Sequence, residues 1–184
     1  LMDLPLDNRK VMIGGEGGIL GEWGTEQREN TYEGEIPAAY ALIRSKTSAS
    51  ARLGNEIGLD VVKDLSKNLG IESALLDYHS TYLGNSEISL LELTRAYTIF
   101  ANLGWSSAEP SLIGKITLNG QTVYQRANKD RPNVVSMTTA GQVSDLLQAS
   151  FQQGILAEAL ERNGLHKVDN VAGKSGTVYG FSDT

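Results

Sequence analysis

The chain has 184 residues, 40% of them apolar, with no cysteine and 22 acidic against 16 basic side chains, a formal net charge of −6. That length and apolar share support one core or two small lobes, the acid excess leaves no phosphate-neutralising face and argues against nucleic acid as a partner, and the missing thiols exclude disulfides and cysteine chemistry. No apolar stretch approaches the roughly 20 residues that span a bilayer, and the two histidines, His79 and His166, lack ligand-spaced companions, so no metal is expected. The opening on Leu1 and the close at Phe-Ser-Asp-Thr suggest a piece of a longer chain.

Residues 1–35 read as an irregular entry segment, rich in Gly, Glu and Asn, with short strand pieces. Pro37 suits a first helical turn, and Ala38, Leu42, Ala49 and Leu53 recur at roughly helical spacing, which predicts a helix starting there and carrying Ser45. A second helix follows with Val61, Val62, Leu65 and Leu69 on one face and Gly70 as its left-handed stop. The helix in "ISLLELTRAYTIFANLG" is signed at both ends: Ser89 and Glu92 make a capping box, Ile88 and Leu93 occupy the staple positions, and Gly104 closes it. Its apolar stripe is Leu93, Tyr97, Phe100 and Ala101.

The period then changes to two near residues 112–124, where Asn119-Gly120 predicts a tight hairpin. A further helix from about Thr139 to Phe151 points Val143, Leu146, Leu147 and Phe151 inward, and a shorter one ends at Gly164. Residues 36–164 thus form a mainly helical lobe, and 165–184 a strand carrying "GKSGT". The class is α+β, incomplete on the β side.

The "GKS" run is not a phosphate loop, because that motif needs a glycine five residues before Gly173 and Val168 stands there. Read instead as Lys-Ser-Gly-Thr on an edge strand, Lys174 supplies positive potential, Gly176 lets a substrate backbone approach, and the hydroxyls of Ser175 and Thr177 suit a carboxylate. Such a pattern arises by chance about once in a hundred chains of this length. Serine enzymes that recognise D-Ala-D-Ala join this strand to a Ser-x-x-Lys nucleophile and a Ser-x-Asn triplet. Ser45-Lys46-Thr47 is a candidate for the triplet, upstream of Lys174 in the required order.

From roughly Asn30 to Thr184 the chain resembles the transpeptidase domain of penicillin-binding proteins, most of all the bifunctional class A kind. "TYEGEIPAAYALIRSKTSASARLGNEIGLD" is similar to the family's Asn-Tyr-x-Gly and Ser-x-Asn segment, "LGNSEISLLELTRAYTIFANLG" to its Ala-Tyr-x-x-Phe-Ala-Asn-x-Gly block, and "VAGKSGT" to Ala-Gly-Lys-Thr-Gly-Thr. The resemblance implies the penicillin-binding protein and serine β-lactamase-like fold, with no cofactor. It implies acyl transfer from a D-Ala-D-Ala stem peptide of peptidoglycan through a serine acyl-enzyme that β-lactams trap. Ser45 and Lys174 would then be catalytic, relaying protons and tuning the serine; Thr47, Ser175, Gly176 and Thr177 would bind substrate, with the Thr177 N–H donating to the oxyanion. The parent would be membrane-anchored on the extracytoplasmic side, with room for a fused glycosyltransferase domain.

Two departures stand out. Thr47 replaces the family's Asn, and no Ser-x-x-Lys occurs in the 184 residues, Ser111 with Lys115 missing by one place. The expected reading is therefore a transpeptidase piece that does not acylate by itself. The competing reading is a catalytically inactive scaffold or partner-binding module of the same family.

Overall fold

The computed structural model describes residues 2–15, 18–21, 30–127, 131–164 and 170–176. The elements in order are strands β1 (Pro5–Asp7), β2 (Ile13–Gly15), β3 (Gly18–Gly21) and β4 (Glu35–Pro37), helices α1 (Ala38–Ile43), α2 (Thr47–Ile57) and α3 (Leu59–Asn68), and a 3-10 helix (His79–Leu83). Then come α4 (Leu90–Ala101), strands β5 (Lys115–Leu118) and β6 (Gln121–Gln125), and helices α5 (Met137–Gln153) and α6 (Ile155–Arg162). Among the described residues the strands form three separate antiparallel pairs, β1 with β4, β2 with β3, and β5 with β6. Helix dominates, so the class is α+β as the sequence predicts.

The β1–β4 pair sets Leu6 opposite Ile36. Both are buried, and with Ala41 of α1 and Ala49 of α2 they form a core cluster on which Ala38 and Leu53 pack. Alanines at these positions let two helices approach a two-stranded ribbon closely, burying apolar area without bulk. Helix α1 also packs on α5, which packs in turn on α4 and α6, while α2 packs on the 3-10 helix. The end of α1 therefore lies between the N-terminal strands and the α5–α6 pair.

Several expectations change. The helix expected to run on from Pro37 through Ser45 is two helices, α1 and α2, separated at residues 44–46. The predicted apolar face of α3 is not core: Val61 and Leu65 are exposed and no residue of that helix is buried. On α4 the buried residues are Ala96 and Ile99 rather than Tyr97 and Ala101, which are exposed; Leu93 and Phe100 are half-buried. The reason is a polar anchor. Glu92 lies in phase with Ala96 and Ile99, and its carboxylate accepts hydrogen bonds from the backbone N–H groups of Glu72 and Ser73, both at 2.8 Å, which turns that face inward.

The ends of α4 follow the sequence more closely. Ser89 Oγ accepts from the Glu92 N–H at 3.2 Å and Glu92 Oε2 accepts from the Ser89 N–H at 3.0 Å, the capping box. At the other end Leu103 is the first left-handed residue, φ 54°, and Gly104 follows at φ 94°. The hairpin forms where expected, with Asn119 at φ 51° and Gly120 at φ 80°, both left-handed as a type I′ turn requires. Every residue of β5 and β6 is exposed. Helix α5 begins at Met137, two residues before the expected Thr139, because Ser136 caps it by accepting from the Thr139 N–H at 3.0 Å. Its buried residues are Ala140, Leu147 and Ser150, with Val143, Leu146 and Phe151 half-buried. Residues 171–176 have no regular secondary structure, and the rest of the strand expected over 165–184 lies outside the described residues.

Candidate active site

The break between α1 and α2 builds the site. Arg44 ends α1; the Ser45 N–H then donates to the Leu42 carbonyl at 3.2 Å and the Lys46 N–H to the Ala41 carbonyl at 2.8 Å. These are the two bonds of a Schellman closure, which demands a left-handed residue after the helix cap. That residue is Ser45, at φ 54°. Glycine is the usual occupant, and a side chain there costs about 1–2 kcal/mol. The run Ser45, Thr47, Ser48, whose hydroxyls compete with helical bonds, is the one sequence signal for the break.

The next residue fixes the turn from behind. Lys46 is buried, and its ammonium pairs with Glu33 Oε2 at 2.7 Å and donates to the Thr31 carbonyl at 3.2 Å. Tyr40 Oη donates to the other Glu33 oxygen at 3.0 Å. The hydrogen bond from Lys46 holds the Glu33 carboxyl below its ordinary pKa, with Tyr40 adding to it. Sequence reasoning left Lys46 and Glu33 without a role, since their pairing is set by the return of the chain after β1 and not by any local spacing. Arg44 reaches the other way, to Glu158 on α6 at 2.7 Å.

The closing segment arrives against α5. The Gly173 N–H donates to the Leu147 carbonyl at 3.2 Å, which sets the next residue toward the turn. Lys174 Nζ donates to Ser45 Oγ at 2.5 Å and to the Ser175 carbonyl at 3.0 Å. Partial burial, with no carboxylate partner among the described residues, pushes the Lys174 ammonium below the ordinary lysine pKa. Because the lysine is the donor, the Ser45 hydroxyl keeps its own proton available for a third group. A lysine hydrogen-bonded to a hydroxyl that still has a proton to give is a pair able to pass protons.

Of the site residues predicted from sequence, Ser45 and Lys174 are brought together across 129 residues. Thr47 is the first residue of α2, half-buried and two residues past Ser45. Ser175 and Gly176 follow Lys174 and are exposed, and Thr177 lies outside the described residues. His79 stacks on Tyr82, with ring centroids 6.0 Å apart, and His166 lies outside the described residues.

The fold has counterparts among known proteins. A relative from Aquifex aeolicus (strain VF5), penicillin-binding protein 1A, is 30% identical over 162 residues, covering 88% of this chain and 21% of that protein. The crystal structure of penicillin-binding protein 1A from Haemophilus influenzae superposes with a TM-score of 0.78 at 20% identity, over 97% of this chain and 31% of the other. Penicillin-binding protein A from M. tuberculosis, solved as an imipenem acyl-enzyme complex, gives 0.74 at 17% identity, over 97% of this chain and 44% of the other. The chain thus spans about a fifth of the curated relative and under half of either solved structure. The sequence model for the penicillin binding protein transpeptidase domain matches residues 8–184, and the chain belongs to that family.

Proposed function

We propose that this chain is part of a peptidoglycan D,D-transpeptidase that cross-links stem peptides through a serine acyl-enzyme and is acylated by β-lactams. The observation that carries the reading is the Lys174 Nζ to Ser45 Oγ hydrogen bond at 2.5 Å, which assembles two separate motifs into one relay. In the reaction a serine gives its hydroxyl proton to a general base, both supplied from outside these residues, and attacks the carbonyl between the two D-Ala residues; the C–N bond breaks, and the departing D-Ala amine needs a proton. Ser45 passes that proton from its hydroxyl and is reprotonated by Lys174, whose lowered pKa makes the transfer easier than from an ordinary lysine. In the second step an amine from a neighbouring stem peptide attacks the ester and the relay runs in reverse.

Thr47 contacts the substrate amide through a single hydroxyl, and Ser175 and Thr177 hold the terminal carboxylate. Since the 184 residues contain no Ser-x-x-Lys, the acylated serine is supplied from outside them, and this chain alone does not acylate. The parent works on the extracytoplasmic side of the membrane. A glycosyltransferase domain in the same polypeptide fits the share of the curated relative that this chain leaves uncovered, 21% being matched. The inactive-module alternative gives no reason for the half-buried lysine of one motif to meet the serine of the other.

Intact-protein mass after incubation with penicillin tests the proposal, using the longest parent polypeptide and the 184-residue chain as control. An adduct on the parent and none on the control is expected. No adduct on a folded parent would overturn the enzymatic reading in favour of the inactive module.

A further inference from the structure

A cavity of about 500 Å3 opens between the end of α3, the middle of α4, residues 106–109 and the strand β6 with its continuation. It shares no lining residue with the Ser45–Lys174 site. Among the described residues, three arginines, Arg95, Arg126 and Arg131, line it beside a single carboxylate, Glu109, in a chain whose net charge is −6. The Arg126 guanidinium donates to the Glu109 carbonyl oxygen and is held in place. Half-buried Arg95 and exposed Arg131 make no side-chain hydrogen bond or ion pair among the described residues.

Each free guanidinium presents five N–H donors in a planar fork, a geometry that a carboxylate meets with two parallel hydrogen bonds. Leaving such a group half-buried and unpaired forfeits hydrogen bonds that water at the mouth replaces only in part. Another part of the lining is an apolar wall: half-buried Leu69 and the ring of Tyr124, 44% exposed. A strongly hydrated phosphate gains nothing from that wall, whereas a carboxylate on a hydrocarbon body does. The volume is that of an ordinary small-ligand pocket.

We propose that this cavity binds a carboxylate-bearing ligand with an apolar body, its carboxylate on Arg95 and Arg131 and its apolar part against Leu69 and Tyr124. The carboxylate comes either from a free dicarboxylate or from an acidic side chain of a short peptide. The test titrates the longest parent polypeptide by calorimetry with four probes: adipate, the peptide acetyl-Glu-Leu-Asp-Leu-amide, its Gln/Asn counterpart, and inorganic phosphate. Saturable binding of adipate or of the acidic peptide is expected, at least about tenfold tighter than the neutral peptide, weakening with salt, and lost at least about tenfold in Arg95→Gln and in Arg131→Gln. Whichever of the first two binds identifies the source.

Arg131 is exposed, so Arg131→Gln tests the site even if Arg95→Gln unfolds, with thermal unfolding as the fold control. Binding by neither acidic probe, equal binding of the neutral peptide, tighter binding of phosphate, or affinity unchanged in the folded variants would each overturn the proposal. Penicillin acylation of the parent is read separately, so failure here leaves the transpeptidase reading intact.

Discussion

Lys174 Nζ and Ser45 Oγ lie 2.5 Å apart, and the serine that receives this hydrogen bond stands at φ 54°. The serine of the proposed relay is therefore also the strained residue of the turn. Ser45→Gly relieves the left-handed conformation and removes the hydroxyl, whereas Ser45→Ala removes the hydroxyl and keeps the strain. We expect Ser45→Gly to raise stability by about 1 kcal/mol and Ser45→Ala to leave it nearly unchanged. Both should slow penicillin acylation of the parent by about 10²- to 10⁴-fold, the range of a lost proton-transfer group. Denaturant unfolding beside stopped-flow acylation checks the split; equal stabilities for the two variants would refute the strain argument.

The lysine makes a pH-dependent prediction. Burial lowers the folded-state pKa of Lys174 below its unfolded value, so the charged form is disfavoured by folding. The penalty is present in full below the folded pKa. It is relieved as pH rises from there toward the unfolded value, so stability grows with pH across that window. Lys174→Gln should remove this slope, and stability measured for both proteins from pH 7 to pH 10.5 should converge toward the alkaline end. Parallel profiles would mean that the ammonium is solvated.

Glu92 predicts the opposite dependence. Hydrogen bonds from Ser89 and then from Ser73 lower its pKa from 4.5 to about 2. Stability from this carboxylate is complete above the unfolded value of 4.5 and is lost as pH falls toward about 2. Glu92→Gln should be less stable than the wild type at neutral pH, and the difference should shrink on acidification through that window. A difference independent of pH would show that shape, not charge, matters at the turn.

How legible these features were depends on the distance over which they are encoded. The capping box of α4 and the Asn119-Gly120 turn are local, and the sequence predicts both. The second duty of Glu92, tying residues 72–73 to the helix, is tertiary, and it sets which face of α4 is buried; counting apolar residues therefore chose a stripe about one position away. Ser45, Thr47 and Lys174 were found as motif members, but the Schellman turn beneath Ser45 was not, because serine is a rare occupant of a left-handed position. Val61 and Leu65 read as core by period and are exposed, since amphipathicity shows that a helix wants a partner without showing that the described residues supply one.

The Lys46–Glu33 pair is the next test of how the turn is held. Lys46 is buried while the Glu33 side chain is 39% exposed, so solvent screens part of the attraction. Lys46→Met should cost about 1–2 kcal/mol, below the range for a fully buried broken pair. A double-mutant cycle with Glu33→Gln should return a coupling of about 1 kcal/mol, and a coupling near zero would reduce Lys46 to a packing role.

Gly154 carries the last prediction, because it sets how closely α1 approaches the α5–α6 junction. A Cβ there would sit 2.4 Å from the Ser150 carbonyl oxygen and 2.6 Å from that of Ile43, both backbone atoms that cannot rotate away. Gly154→Ala must therefore push the end of α1 outward, and Ser45 lies two residues beyond Ile43. We expect a loss of about 2 kcal/mol, the usual cost of overpacking. Since the Lys174 segment is tied to α5 through Leu147 and not to α1, the displacement should lengthen the Lys174–Ser45 hydrogen bond as well. The variant should then acylate more slowly than its stability loss explains, even at temperatures where it is fully folded. A variant that is destabilised but acylates at the wild-type rate when folded would show that the relay tolerates movement of α1.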